Sequence, residues 1–190
     1  MDDAPGNQDA DLVQAWQRGD AAAFAALVRR WQQPMARFLA AMVGRTDLVQ
    51  DLCQEVFLRV FLAKARYRES GTFSSWLYRI AGNVARDACR RRRPEPQRLL
   101  NRELNIPSQG PEAQCENQEL VQALAGALAE LPLALREVVV LRHYEEMNFK
   151  EISQLLGIPA GTLRSRFEVG MERLRIRLKQ QGWNPLEDRQ

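Results

Sequence analysis

Apolar residues recur at steps of three and four along most of this chain, which is the period of an amphipathic α-helix. The longest regular stripe comprises Leu163, Phe167, Met171, Leu174 and Leu178. No segment of useful length alternates between apolar and polar residues with the period of a β-strand. The pattern therefore predicts an all-α fold.

Two helices are predicted at the start of the chain. After residues 1–8, which we expect to be disordered, a short helix spans residues 9–18 and ends at Gly19. Asp20 is a suitable N-cap for the second helix, which extends to Gly44. That helix contains Pro34, and an internal proline kinks or interrupts a helix.

A third helix is predicted from Thr46 or Asp47 to about Ala63. Its expected core residues are Leu48, Leu52, Val56, Val60 and Phe61. A polar loop, residues 64–71, then leads to Thr72, which we expect to cap a fourth helix. The fourth helix buries Trp76 and Leu77 and ends in four arginines, residues 90–93, before Pro94.

The stretch 94–116 contains four prolines and few apolar residues, which is typical of a partly extended tether. The predicted organisation is therefore a helical domain at 9–93, a flexible linker at 94–116, a second small helical domain at 117–180 and a tail at 181–190. Within the second domain, one helix carries Leu120 to Leu131, and Pro132 opens the next.

The stretch from Asn148 to Leu178 predicts a helix-turn-helix. Asn148 with Glu151 three residues later forms a capping-box pattern, and Gly157 can supply the left-handed residue that ends the short helix. Pro159 suits the first turn of the next helix. A recognition helix of this kind enters the major groove of DNA with its first exposed residues facing the bases, here Thr162, Arg164, Ser165 and Glu168.

Charge supports a nucleic-acid partner. The net charge is only +3, but seven arginines lie between residues 86 and 103 against three acidic residues, and the predicted recognition helix is also rich in arginine. Basic clusters bind phosphates regardless of sequence. Arginines in the last turn of a helix also interact favourably with the helix dipole, so part of the cluster needs no ligand.

The sequence predicts neither catalysis nor a cofactor. It lacks a phosphate-binding loop and a nucleophile elbow, and its one histidine, His143, has no partners for a metal site or a catalytic triad. Three scattered cysteines, Cys53, Cys89 and Cys115, indicate free thiols in a reduced compartment. With no signal peptide and no apolar run of about 20 residues, the expected location is the cytoplasm.

Three stretches in order carry a resemblance to bacterial RNA polymerase sigma factors of the extracytoplasmic-function (ECF) type. They run from Asp51 to Leu58, from Phe73 to Ala81 followed by Asn83 and the arginines, and from Glu151 to Arg166. The resemblance covers about residues 9–178. It implies two helical domains, regions 2 and 4, and a role in promoter-specific initiation of transcription.

The resemblance also implies which surfaces bind which partner. The set expected to bind the clamp helices of the largest subunit of core RNA polymerase is Asp51, Gln54, Glu55, Leu58 and Arg59. The set expected to open and hold the −10 element is Tyr67, Arg68, Ser70, Phe73, Asn83, Arg86 and Arg90. The set expected to bind the −35 duplex is Thr162, Arg164, Ser165, Arg166 and Glu168.

Within the −35 set, Glu168 is an unusual residue for its position, and its chemistry favours accepting a hydrogen bond from a cytosine amino group. The family is commonly held inactive by an anti-sigma factor, often membrane-anchored, so such a partner is expected here. The free protein is expected to be a monomer.

Two other interpretations remain open at this point. The first is a free-standing helix-turn-helix regulator that binds duplex DNA as a dimer, which would leave the Asp51 to Leu58 stretch without a role. The second is an adaptor whose basic face holds RNA or another protein, which does not require the turn at Gly157. Oligomeric state separates the sigma factor from the dimeric regulator.

Overall fold

The computed structural model describes residues 5–67, 72–91, 123–143 and 145–183. These residues form eight α-helices and no β-strand, which confirms the predicted all-α class. The predicted linker at 94–116 lies outside the described residues, as do the ends of both predicted tails. The chain divides into two compact units.

The first unit contains α1 (Pro5–Gln17), α2 (Ala21–Val43, as far as Leu39), α3 (Val49–Leu62) and α4 (Phe73–Arg90). Short 3-10 turns at Thr46–Leu48 and Lys64–Arg66 precede and follow α3. Helices α3 and α4 pack against each other. The fully buried side chains of this unit include Trp16, Leu27, Met35, Phe38, Leu39, Val56, Val60 and Leu77.

Local signals placed most of these helix boundaries correctly. The Asp20 carboxylate accepts hydrogen bonds from the backbone N–H groups of Ala22 and Ala23 at 2.8 and 3.2 Å, so it caps α2 as predicted. The Thr72 hydroxyl accepts from the Ser75 N–H at 3.2 Å and caps α4. Gly44 follows α2 with a φ of 67°, as expected for the residue that ends it.

Three predictions for the first unit need correction. Helix α1 begins at Pro5, so residues 5–8 are helical rather than disordered. Helix α2 continues through Pro34 without the break that proline could impose. The stretch predicted as a polar loop before α4 contains one core residue. Tyr67 is buried against the rings of Phe73 and Trp76, at centroid distances of 6.2 and 5.0 Å.

The second unit contains residues 40–46 together with α5 (123–130), α6 (Leu133–His143), α7 (Phe149–Leu156) and α8 (Ala160–Gln180). Its core comprises Leu128, Leu131, Val138, Val139, Val140, Leu141, Ile152, Leu155, Leu163 and Leu174. Two charged residues are buried in it, Arg136 and Glu137. The Arg136 guanidinium donates to the backbone carbonyls of Met42, Ala129 and Leu131. Those acceptors satisfy the two Nη groups of a side chain that is otherwise costly to bury.

Helices α7 and α8 form the predicted helix-turn-helix. The capping box is complete: Asn148 Oδ1 accepts from the N–H groups of Lys150 and Glu151 at 3.0 Å each, and Glu151 accepts from the Asn148 N–H at 2.7 Å. Gly157 adopts the left-handed conformation (φ 69°, ψ 25°) that ends α7. Pro159 is the N-cap of α8, one residue earlier than the first-turn position predicted for it.

The buried face of α8 is narrower than the predicted stripe, because Phe167 and Leu178 are only partly buried. Leu163, Gly170 and Leu174 are buried, whereas Met171 is 37% exposed. A Cβ atom at position 170 would lie 2.7 Å from Val139 Cγ2, so α8 comes closest to α6 at this glycine. The close approach at Gly170 turns Met171 outward, which apolar spacing alone could not reveal.

Candidate partner and nucleic-acid interfaces

One face of α3 presents an acid, an amide and an apolar side chain to solvent. Asp51 and Gln54 are exposed, and Leu58 is 57% exposed although it is apolar. Residues at spacings of three and four lie on the same side of a helix, so these side chains form one surface. An acidic surface with an apolar anchor is suited to a partner helix that carries arginines.

Glu55 and Arg59, also in the predicted set, are half-buried and bound to each other. The Arg59 guanidinium donates to Glu55 Oε1 at 2.5 Å and lies 3.5 Å from Asp87 Oδ2 on α4. Arg59 is therefore held inside the first unit, where it orients Glu55. This arrangement favours a positioning role for Arg59 beside the exposed Asp51.

The apolar part of this face is larger than predicted. Phe61 is 52% exposed and Leu62 is 73% exposed, so the expectation that Phe61 lies in the core is wrong. We call Leu58, Phe61 and Leu62 the α3 patch. Their spacing of three and one is also that of a buried helix face, and only the packing of the other helices shows that Leu58 and Leu62 are uncovered. The Phe61 ring keeps one side against Phe24 and Trp16, at centroid distances of 5.4 and 6.5 Å.

The outer face of α4 carries the polar half of the predicted −10 set. Asn83 and Arg90 are exposed, and Arg86 donates to Asn83 Oδ1 at 2.5 Å. Arg79, one turn before Asn83, is also exposed and was not among the predicted residues. Side chains of this kind can bind phosphates and base edges along a strand that follows the helix.

The two aromatic residues of the predicted −10 set are buried, unlike its polar residues on α4. Tyr67 and Phe73 are only 8% and 3% exposed, so in this structure their rings pack inside the unit. Trp76, which was expected in the core, is only partly buried. Arg68 and Ser70 lie outside the described residues.

The N-terminal half of α8 presents the predicted −35 set to solvent. Thr162, Arg164, Ser165 and Glu168 are exposed, and Arg166 is half-buried. The Arg164 guanidinium lies 5.7 Å from the centre of the Phe149 ring, which restricts it by a cation–π contact. Four of the five side chains are therefore open to solvent on the first turns of one helix, where a duplex could reach them.

Farther along α8, two arginines are bound within the protein. Arg175 donates two hydrogen bonds to Glu172, at 2.9 and 3.0 Å, and these bonds lower the pKa of the glutamate and raise that of the arginine. Arg177 pairs with Glu130 of α5 at 2.5 Å. These two arginines are therefore less available to a ligand than Arg164, Arg173 and Lys179, which are exposed along α8.

Neither a metal centre nor a membrane span is found in the part of the chain that the structure describes. Within it, no three histidine, cysteine or acidic side chains are grouped so that they could hold a metal ion. None of the described helices combines the length and the apolar character that crossing a membrane requires. Cys53 and Cys89 are half-buried and form no disulfide, and Cys115 lies outside the described residues.

Two family models match the chain, one for each group of surfaces. The Sigma-70 region 2 model matches residues 27–95, which include α3 and α4. The Sigma-70 region 4 model matches residues 121–174, which include the helix-turn-helix.

Whole-length relatives are found in distant bacteria. The chain is 30% identical over 179 residues to the ECF RNA polymerase sigma factor SigW of Bacillus subtilis, with 88% of this chain and 95% of SigW covered. It is 34% identical over 168 residues to the ECF RNA polymerase sigma-E factor of Escherichia coli K12, with 83% and 87% covered.

A solved structure shares the fold. The sigma factor RpoE of Bartonella quintana, solved with the anti-sigma factor NepR, matches with a TM-score of 0.68 at 18% identity. The match covers 82% of this chain and 96% of that one.

Proposed function

Because this chain belongs to the ECF RNA polymerase sigma factors, we propose that it binds core RNA polymerase through α3 and directs initiation at specific promoters. The family consists of polymerase subunits that select promoters and is not a family of enzymes. The observation that carries the proposal is the exposed face of α3, where Asp51 and Gln54 adjoin the α3 patch.

The α3 surface supports a protein partner better than a nucleic acid. Exposed apolar side chains are costly to keep in water and mark protein interfaces when they are grouped. The acids on the same face would repel phosphates, whereas they complement a basic partner helix. We assign Asp51, Gln54 and Leu58 to direct contact with the polymerase, and Glu55 with Arg59 to the support of that face.

The exposed side of α4 suits the opened −10 element. Unpairing a base costs a few kcal/mol, which a protein recovers by holding the extruded base and the single strand. Arg86 and Arg90 can neutralise phosphates of that strand, and Asn83 can hydrogen-bond to a base edge. The buried rings of Tyr67 and Phe73 support the −10 site. Arg68 and Ser70, which we also assign to this site, lie between them in the sequence.

The N-terminal half of α8 suits the −35 duplex. Arg164 and Arg166 supply positive charge, and Thr162, Ser165 and Glu168 can bind base edges in the major groove. Because Arg175 and Arg177 already have acidic partners, they contribute less to phosphate binding than their number suggests.

An anti-sigma factor is the proposed regulator. The related Bartonella protein is held in a complex with one, and this chain exposes apolar side chains in each unit, Leu58 and Leu62 in the first and Val169 and Ile176 in the second. A regulator that covered these surfaces would compete with the polymerase. The proposed place of action is the cytoplasm, where the polymerase and promoter DNA are found.

The direct test is capture of core RNA polymerase by the tagged chain. Leu58→Arg places a charge in the α3 patch and should abolish capture without unfolding the protein, because Leu58 is mostly exposed. The matched control is Val169→Arg, which changes an apolar residue of α8 that is 44% exposed and should retain capture through α3. Capture by Leu58→Arg at the parent level would contradict the assignment of α3.

A further inference from the structure

The solvent-facing side of α8 carries one apolar side chain among polar ones near the middle of the helix. Val169 is 44% exposed. Residues three and four positions apart are surface neighbours on a helix, and on α8 those neighbours of Val169 are all polar or charged: Ser165, Arg166, Glu172 and Arg173. An apolar group in such a setting gains from contact only if its partner presents an apolar group at the same point.

Val169 points in nearly the same direction as two residues that we assign to the −35 duplex. An α-helix turns by about 100° per residue, so Thr162 lies about 20° and Ser165 about 40° from Val169 around the axis of α8. All three side chains are exposed. A duplex that contacts Thr162 and Ser165 from its major groove therefore also faces Val169.

Packing on the other side of α8 fixes the direction of Val169. Leu163 and Leu174 are buried there, and at Gly170 a Cβ atom would lie 2.7 Å from Val139 Cγ2, so the helix is held close to α6. Valine adopts one χ1 rotamer in about 90% of helical cases. The two methyl groups of Val169 are therefore already ordered before a ligand binds, which lowers the entropy lost on binding.

The chemistry of the major groove limits what Val169 can contact. The C5 methyl of thymine is the apolar group that base edges present there, and the others are hydrogen-bond donors and acceptors. Placing valine against a donor or acceptor would leave that group unpaired, which is costly. A thymine methyl is therefore the favourable partner for this side chain.

Resting on the function proposed above, we propose that Val169 determines specificity within the −35 element by contacting the methyl group of one thymine. The thymine can belong to either strand, since each A·T pair presents one methyl in the major groove. Seven residues of helix span about 10.5 Å, and stacked base pairs lie about 3.4 Å apart. The contacted thymine should therefore lie no more than about three base pairs from the base that Thr162 contacts.

The test removes the methyl from the DNA and the valine from the protein, separately and together. Holoenzyme is assembled from core polymerase and the chain, and its affinity is measured for a promoter duplex that it transcribes. Each −35 thymine of either strand is replaced in turn by deoxyuridine, which lacks only the C5 methyl and leaves the cytosine amino groups assigned to Glu168 unchanged.

The protein variants are Val169→Ala and a matched control, Met171→Ala. Met171 is also apolar and 37% exposed, but it lies about 160° away from Val169 around α8. The parent and Met171→Ala should bind about fourfold more weakly when one particular thymine is replaced, which is the factor expected for one buried methyl group. Val169→Ala should bind the unmodified duplex more weakly by a similar factor and should be indifferent to that replacement.

Two results would overturn the proposal while the sigma function stands. Either the parent holoenzyme tolerates deoxyuridine at every −35 thymine, or Val169→Ala keeps the full penalty at the sensitive thymine, so that another side chain contacts the methyl. If the parent chain neither binds core polymerase nor directs initiation, the proposed function and the Val169 contact are overturned together.

Discussion

At Gly170 a single missing Cβ decides how the recognition helix packs. An alanine there would place its Cβ 2.7 Å from Val139 Cγ2 and 3.6 Å from Leu135 Cβ. Val139 is buried and branched at Cβ, so it has little freedom to move. The glycine therefore allows α8 to approach α6, and it also sets which residues of α8 face outward.

Gly170→Ala should destabilise the second unit by roughly 1–2 kcal/mol, because overpacking outweighs the gain in helix propensity. Gly161→Ala on the same helix has no neighbour within 4 Å and should be neutral or stabilising. Urea denaturation of both variants checks the contrast. In a Val139→Ala background, Gly170→Ala should cost much less stability, because the clashing Cγ2 atom is gone. An equal loss of stability in both backgrounds would contradict the contact.

Burial raises the pKa of the Cys53 thiol from 9.0 to about 11. This shift lowers the fraction of thiolate at pH 8 about a hundredfold. Because only the thiolate reacts with alkylating reagents, the alkylation rate falls with it. In a chain with Cys89 and Cys115 changed to serine, the alkylation rate should rise steadily from pH 7 to 10 without levelling off. A rate that levels off near pH 9, as in the urea-unfolded chain, would show that the thiol is not shifted.

Glu168 is the exposed acid among the residues of α8 that we assign to base contacts. A carboxylate accepts from the cytosine amino group, whereas an amide pairs with adenine. Glu168→Ala should therefore relax preference at one −35 position, and Glu168→Gln should shift it toward adenine. Transcription from a library of −35 variants measures this, and an unchanged preference in both variants would rule out the contact.

At the scale of the helix, the boundaries depend on short-range chemistry. The Asp20, Thr72 and Asn148 caps and the glycines at 44 and 157 could be predicted because each acts on backbone groups within four residues. Pro34 was harder to interpret, since whether a proline breaks a helix depends on the packing around it.

The outward faces of the helices could not be predicted in the same way. Phe61 and Met171 satisfy the apolar period of their helices yet are exposed, and Tyr67 lies in a polar stretch yet is buried. Asp9 binds Trp31 across 22 residues, a pairing that no local pattern announces. In the candidate site, spacing therefore identified the helices, but only packing could show the α3 patch.

The capping box gives a prediction at this scale. Asn148→Ala removes the acceptor for two N–H groups and should cost about 1 kcal/mol of stability, whereas Asn148→Asp keeps the acceptor and should cost little. Thermal unfolding followed by circular dichroism measures both. Equal losses in the two variants would mean that the asparagine acts through something other than its cap.

For the molecule as a whole, the distribution of charge matters more than its net value of +3. Exposed basic residues lie on α4 and along α8, while α3 presents Asp51 and the α3 patch. A chain with two DNA-binding surfaces and one protein-binding surface gains affinity when all are engaged together. Binding of either DNA element by the isolated protein should therefore be weak compared with binding by the holoenzyme.

The central claim is that this chain gives core polymerase a promoter specificity that the core lacks. The most direct measurement is run-off transcription on genomic fragments by core polymerase alone, with the chain, and with its Leu58→Arg variant. Discrete new start sites with the parent, absent from the other two reactions, are the predicted result. If the parent yields no new start site although it binds duplex DNA as a dimer, the sigma assignment is wrong and the free-standing regulator takes its place.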